Sequence, residues 1–182
     1  MDYEKQAFIN FLRPKNQWLM VVFGGLCLLC AVLALVAGGG FISLLFLIPG
    51  GLLPYVAVRE QSAYRNWVRS AESSGALTGY LEDFRAAEQV ANGNIRFGRQ
   101  YLYARNAEKV IAYGDVLQVY QRVHKTNFVE SSRNITAVVR DGDKTKEVAL
   151  CQLALRGMGD EVVRDVVGRL LYRNPSIKVG YK

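Results

Sequence analysis

The chain has 182 residues, with 23 Lys and Arg against 16 Asp and Glu (formal net charge +7), 51% hydrophobic residues, one His and three Cys. One His and three scattered Cys are too few for a zinc framework or a disulfide scaffold, and the positive charges are interleaved with acids rather than blocked. Metal sites, cofactors and nucleic-acid partners are therefore not expected.

Residues 1–17 read as a short cytoplasmic segment. Two apolar runs follow, 18–37 (WLMVVFGGLCLLCAVLALVA) and 41–58 (FISLLFLIPGGLLPYVAV), neither containing Lys, Arg, Asp or Glu. At about 1.5 Å per residue each is long enough for a hydrocarbon core of roughly 30 Å, so 18–58 is expected to be a two-span transmembrane hairpin. The first run is too long for the core of a cleaved signal peptide, and a second follows at once. Lys5, Arg13 and Lys15 precede the pair and Arg59, Arg65 and Arg69 follow it, while Gly38-Gly39-Gly40 between them carries no charge. The positive-inside bias then puts a multi-pass protein in the cell (inner) membrane with both termini cytoplasmic. Trp18, Tyr64 and Trp67 are the candidate membrane-interface anchors. Gly24-Gly25 and Gly50-Gly51 are spots for close helix approach, and Pro49 and Pro54 predict a kink in the second span. Cys27 and Cys30, although spaced CxxC, lie mid-span and read as small buried hydrophobes.

Residues 59–93 predict a helical stalk. Tyr64, Trp67, Val68 and Ala71 share one face, Ser73-Ser74-Gly75 interrupts, and a second amphipathic stretch places Leu77, Tyr80, Leu81, Phe84 and Ala87 inward until Asn92-Gly93-Asn94 stops it. From Ile95 the hydrophobic period becomes two. Strands are expected at 95–97, 101–104, 109–112, 116–124, 133–140 and 144–151, with Asp141-Gly142 as the clearest hairpin turn. In the fourth, Leu117, Val119 and Val123 should face one way, and Gln118, Tyr120, Arg122 and His124 the other. Residues 160–173 return to a helical period, with Val162, Val163, Val166, Val167, Leu170 and Leu171 in one stripe, acids opening the helix and arginines closing it. The expected fold is α+β, with a membrane hairpin, a helical stalk and a domain over 94–182 of antiparallel sandwich or barrel closed by a C-terminal helix.

The stretch IRFGRQYLYARNAEKVIAYGDVLQVYQ, the DGDK hairpin and the final helix followed by NPSIKVGY resemble the pleckstrin-homology-like (PH-like) domains of bacterial membrane proteins, where a helical hairpin often precedes such a domain. The resemblance implies a PH-like fold over about 95–181. It implies two kinds of ligand: a protein partner, or anionic headgroups held by a basic cluster whose matching positions are Arg96 and Arg99.

His124 stands beside Arg122 and Lys125 with no neighbouring acid or thiol, which suits a surface residue. Arg156, Gly157, Met158 and Gly159 precede a helix but lack a Walker lysine, and Asp160-Glu161 would repel phosphate, so a connector is expected there. Asn134-Ile135-Thr136 matches a glycosylation sequon by chance. No nucleophile, base and orienting group can be assembled. The expected function is a non-enzymatic, membrane-anchored adaptor or scaffold whose domain binds a protein partner in or at the same bilayer. Two alternatives remain open: an anionic-lipid-responsive module, and an accessory subunit or regulator of a transporter or membrane enzyme. Homo-oligomerisation is also left open.

Overall fold

The computed structural model describes residues 2–14, 17–105, 107–126, 129–153 and 159–180. It is a mixed α+β structure with two long apolar helices and two sheets. The chain divides into two units: residues 14–70, and residues 1–13 together with 71–182.

The first unit holds helix α2 (Gln17–Val36) and most of α3 (Gly40–Ser73), both long and apolar enough to cross a membrane. Gly38 ends α2 at φ +82°, and the bonds Gly38 N–H to Leu35 O (3.0 Å) and Gly39 N–H to Ala34 O (2.8 Å) form a Schellman motif. The glycines are there because the left-handed cap excludes a Cβ. The helices meet through small residues spaced by seven: Gly24 and Ala31 on α2, and Ser43, Gly50 and Ala57 on α3 are all buried. A Cβ on Gly24 would stand 2.5 Å from the Pro54 ring, and one on Gly50 would stand 2.9 Å from Leu28, so both glycines are required by close approach. A seven-residue repeat keeps one seam facing the partner helix. Pro49 and Pro54 lie inside α3, which is helical from Gly40 to Ser73 across both. Helix formation also continues past the apolar run to Ser73, as the stalk reading expects.

The second unit begins with α1 (Asp2–Leu12), which the sequence reading left without structure. Phe8 and Leu12 are fully buried, and the Glu108 N–H donates to Leu12 O at 3.1 Å. After α3 comes α4 (Ala76–Arg85), then a four-stranded antiparallel sheet: β1 (Glu88–Val90), β2 (Ile95–Phe97), β3 (Tyr101–Ala104) and β4 (Ile111–Ala112), in that order. The second sheet has the order β7-β6-β5-β8, built from β5 (Val116–Thr126), β6 (Val129–Asp141), β7 (Lys144–Leu153) and the two-residue β8 (Lys178–Val179), which pairs parallel to β5. Asp141 and Lys144 pair across the expected Asp-Gly turn, with Gly142 at φ +62°.

The core lies between the sheets. Ile95, Phe97, Leu102 and Ile111 of the first meet Val119, Ile135, Ala137, Val139 and Leu150 of the second. Helix α5 (Gly159–Arg173) adds Val166 and Leu170, both fully buried, as its apolar stripe predicts. On the other face of the first sheet, α1 and α4 cover Tyr103 with an aromatic layer. Phe8 meets Phe84 edge-on at 5.1 Å, Phe84 meets Tyr103 at 5.2 Å, and Phe11 meets Phe84 at 5.3 Å.

Two local readings are corrected. The amphipathic stretch does not run to Asn92: α4 stops at Arg85 and β1 follows, and Ala91, Asn92 and Gly93 at φ 54°, 55° and 74° form the β1–β2 turn. Asn-Gly supplies left-handed residues equally to a helix end and to a hairpin, and periodicity cannot separate the two over so short a segment. In β5 the simple alternation fails. The register is unbroken from Gln118 to His124, but burial does not follow the two faces: Val119 and Tyr120, on opposite faces, are 0% and 3% exposed, while Val123, on the face of Val119, is 41% exposed towards the strand's far end.

Candidate binding site

Strand β1 moves the residues expected to hold an anion. The first hairpin turn is Ala91–Asn94 and carries no cation; Arg96 and Arg99 belong to the second hairpin, β2–β3. The Arg96 guanidinium lies over the Phe84 ring at 4.2 Å and the Phe11 ring at 5.4 Å, and its Nε is buried with no hydrogen-bond partner among the described residues. Burial, reinforced by the nearby Arg105 charge, lowers its pKa. Such a guanidinium is spent on ring faces.

At Arg99 the backbone is the functional part. Its N–H donates to Asp83 Oδ1 at 2.7 Å, the Gln100 N–H donates to the same oxygen at 3.3 Å, and Tyr103 Oη lies 3.0 Å from Asp83 Oδ2. The anion position of this turn is thus filled by the chain's own carboxylate. Burial first, then the Asp83 charge, pushes the Tyr103 phenol well above its usual range. Gly98 makes room for Asp83, whose Cγ would stand 2.6 Å from an added Cβ. Of the expected interface anchors, Trp18 is 65% exposed at the start of α2, Trp67 is half-buried, and Tyr64 is buried seven residues beyond Ala57.

A groove of about 510 Å³ opens between α5 and the β1–β2 edge, with buried Phe97 as its floor. Arg169 crosses it, bonding Asp165 at 2.7 Å and Glu88, with its guanidinium 5.9 Å from the centre of the Phe97 ring. The bond to Glu88 is the main cause of its raised pKa, with Asp165 next. Arg173 stands over the Tyr113 ring at 5.8 Å, and that ring stacks on Phe97. The Tyr113 hydroxyl donates to Gly98 O at 2.9 Å; burial pushes its pKa up to about 12, with Arg173 opposing and Asp83 reinforcing.

A second cleft, about 390 Å³, is lined by Gly114, Val116, Gln118, Arg140, Ser176 and Lys178 among others; no acid is among its described lining residues. His124 is exposed on β5. Cys151 is buried, and burial pushes its pKa up to about 11, the opposite of an activated thiol. Arg156 to Met158 lie outside the described residues. Among the described residues no group of three or more His, Cys, Asp or Glu is placed to hold a metal.

No family model matches the chain, nor does any curated protein or solved structure.

Proposed function

We propose that the chain is a membrane-anchored, non-enzymatic adaptor. On this reading α2 and α3 cross the inner membrane as a hairpin, and the remaining unit is a PH-like domain presented on the cytoplasmic side to a protein partner in or at the same bilayer. The observation that carries it is the α5 groove, which offers an apolar floor and arginine walls and has no nucleophile–base pair among its described lining residues. The element order, with an early four-stranded antiparallel sheet, a later β5-β6-β7 meander and α5 after it, supports the PH-like assignment, to which the two-residue β8, parallel to β5, is an addition. Connectivity supports the orientation: the residues before α2 and after α3 belong to one folded unit, so a spanning pair must return the chain to its starting side. Tethering raises the effective concentration for a partner in the same membrane, so modest affinity suffices.

Two measurements test the reading. With Asp2→Cys, Gly39→Cys and Lys182→Cys placed singly in a Cys27→Ser/Cys30→Ser background, an impermeant thiol reagent on intact cells should label only Gly39→Cys. Labelling of position 182 from outside would overturn the orientation. Photo-crosslinking in native membranes from exposed positions such as His124, Lys144 and Tyr172 should give protein adducts; lipid adducts alone would remove the adaptor reading.

The second cleft favours one other reading, an anionic-lipid-responsive module. Arg140 and Lys178 line it without an acid among the described residues. Salt-sensitive flotation with phosphatidylserine vesicles that is lost in Arg140→Glu/Lys178→Glu would support it.

A further inference from the structure

Helix α1 ends at the junction with the apolar pair. Phe11 and Leu12 are buried, Arg13 closes the first stretch of the folded unit, and α2 begins at Gln17. Five Cα steps of at most about 3.6 Å keep Leu12 within about 18 Å of the first residue of α2, whatever path the linker takes. On the membrane reading, this end of the domain is tethered at the headgroups.

The fold delivers cations to the same end. Arg105, which follows β3, holds its guanidinium 5.5 Å from the centre of the Phe11 ring, and Arg96 of β2 holds its own at 5.4 Å. The Arg105 charge is close enough to help lower the Arg96 pKa. Neither they nor Arg13 enter an ion pair among the described residues. Glu108, whose N–H meets Leu12 O, is held by Lys146 at 3.0 Å, and Glu4 is held by Arg85 at 2.6 Å. A ring face positions a guanidinium without neutralising it, so charge of one sign gathers round Phe11. Arg13 and Arg105 are exposed, and Arg96 is half-buried. Arginines gathered without acids repel one another, and an anionic surface brought up to them offsets that repulsion. Screening confines such attraction to about 10 Å at 0.1 M salt, so it acts where a short tether holds the cations near the headgroups.

We propose that the α1 end of the domain rests on an anionic lipid leaflet, with Arg13 and Arg105 on the headgroups and Arg96 adding its field from the aromatic layer. This rests on the membrane-anchored reading and is independent of the protein that the α5 groove takes. Anionic lipid would then fix how the domain stands on its bilayer.

The test uses the full chain with Cys27→Ser and Cys30→Ser, a fluorophore on Asn10→Cys, and nanodiscs containing a lipid with a nitroxide on its headgroup. Asn10 is exposed and adjoins Phe11, and the buried Cys151 stays unlabelled. Quenching should be at least about twofold greater in phosphatidylcholine discs containing phosphatidylserine than in phosphatidylcholine alone, and should lose that difference as salt rises to about 0.5 M. Arg105→Glu should abolish the phosphatidylserine dependence, and Arg105→Lys should keep most of it. Arg105 lies outside the segments flanking the apolar runs, so its reversal leaves the positive-inside bias untouched. An unchanged melting temperature in micelles shows that the variant folds. Equal quenching of the unaltered chain in both discs overturns the proposal without any variant. So does a phosphatidylserine dependence that survives Arg105→Glu, or one lost instead in Arg140→Glu/Lys178→Glu, which gives the contact to the second cleft. A chain that does not enter discs fails the membrane reading, and the proposal with it. If the discs show no lipid dependence but photo-crosslinking captures a protein, the adaptor reading stands and only this contact is lost.

Discussion

At the scale of single residues, Asp83 organises the β2–β3 hairpin. Its carboxylate accepts two backbone N–H groups and faces the Tyr103 hydroxyl, bonds that no neutral apolar side chain replaces. Asp83→Ala should cost about 1–3 kcal/mol by leaving those donors unpaired, and Gly98→Ala should cost a similar amount by expelling the carboxylate. Denaturant melts of the full chain in micelles measure both; a neutral Gly98→Ala would contradict the packing. Tyr113 gives a pH signature. Its folded pKa is raised from 10.0 to about 12, so the folded state holds the proton more tightly. The stability this confers is fully present below pH 10 and is lost as pH rises through about 12. Melts across that window should fall less steeply in Tyr113→Phe than in the unaltered chain.

Among the elements, those with long periodic patterns were readable in the sequence and the short ones were not. The α5 stripe over Val162 to Leu171 repeats over several turns and admits one interpretation. The Asp141-Gly142 turn joins two long alternating strands. By contrast, β1 has three residues and β8 has two, too few for a period, and each exists because a neighbouring strand offers hydrogen bonds. Helix α1 did leave a signal, Phe8, Phe11 and Leu12 at i, i+3 and i+4, but a segment beside an apolar run is easily read as a flank. The candidate site was less legible than the fold. Arg96 and Arg99 look like anion ligands in sequence, and only the tertiary arrangement sets Arg96 over rings and Asp83 beneath Arg99. The groove could not be read in advance, because Glu88, Phe97 and Arg169 come from three elements. Leu170 tests the helix–sheet packing. Fully buried, it should cost roughly 2–5 kcal/mol as Leu170→Ala in the same melts, whereas its exposed neighbour Tyr172→Ala should stay near neutral.

Across the whole molecule, the apolar helix pair is an insertion within a folded unit, since residues 2–13 and 71–180 complete the same structure. A fragment starting at residue 71 therefore lacks the helix whose Phe8 packs on Phe84 and Tyr103. Phe8→Ala should cost about 3–5 kcal/mol in the full chain. The 71–182 fragment should gain cooperative melting when a peptide of residues 1–13 is added. A fragment that melts as sharply alone would show that α1 is dispensable.

The order of synthesis gives that insertion a further meaning. Helix α1 precedes both apolar helices in the chain and cannot dock until the strands beyond α3 have been made, by which time both apolar helices have been made as well. A nascent chain that inserts one helix and strands the other would leave α1 and its docking surface in separate compartments. On the proposed membrane reading, completion of the fold would depend on both helices having inserted, and a chain that fails would leave Phe84 without the cover of Phe8 and Phe11.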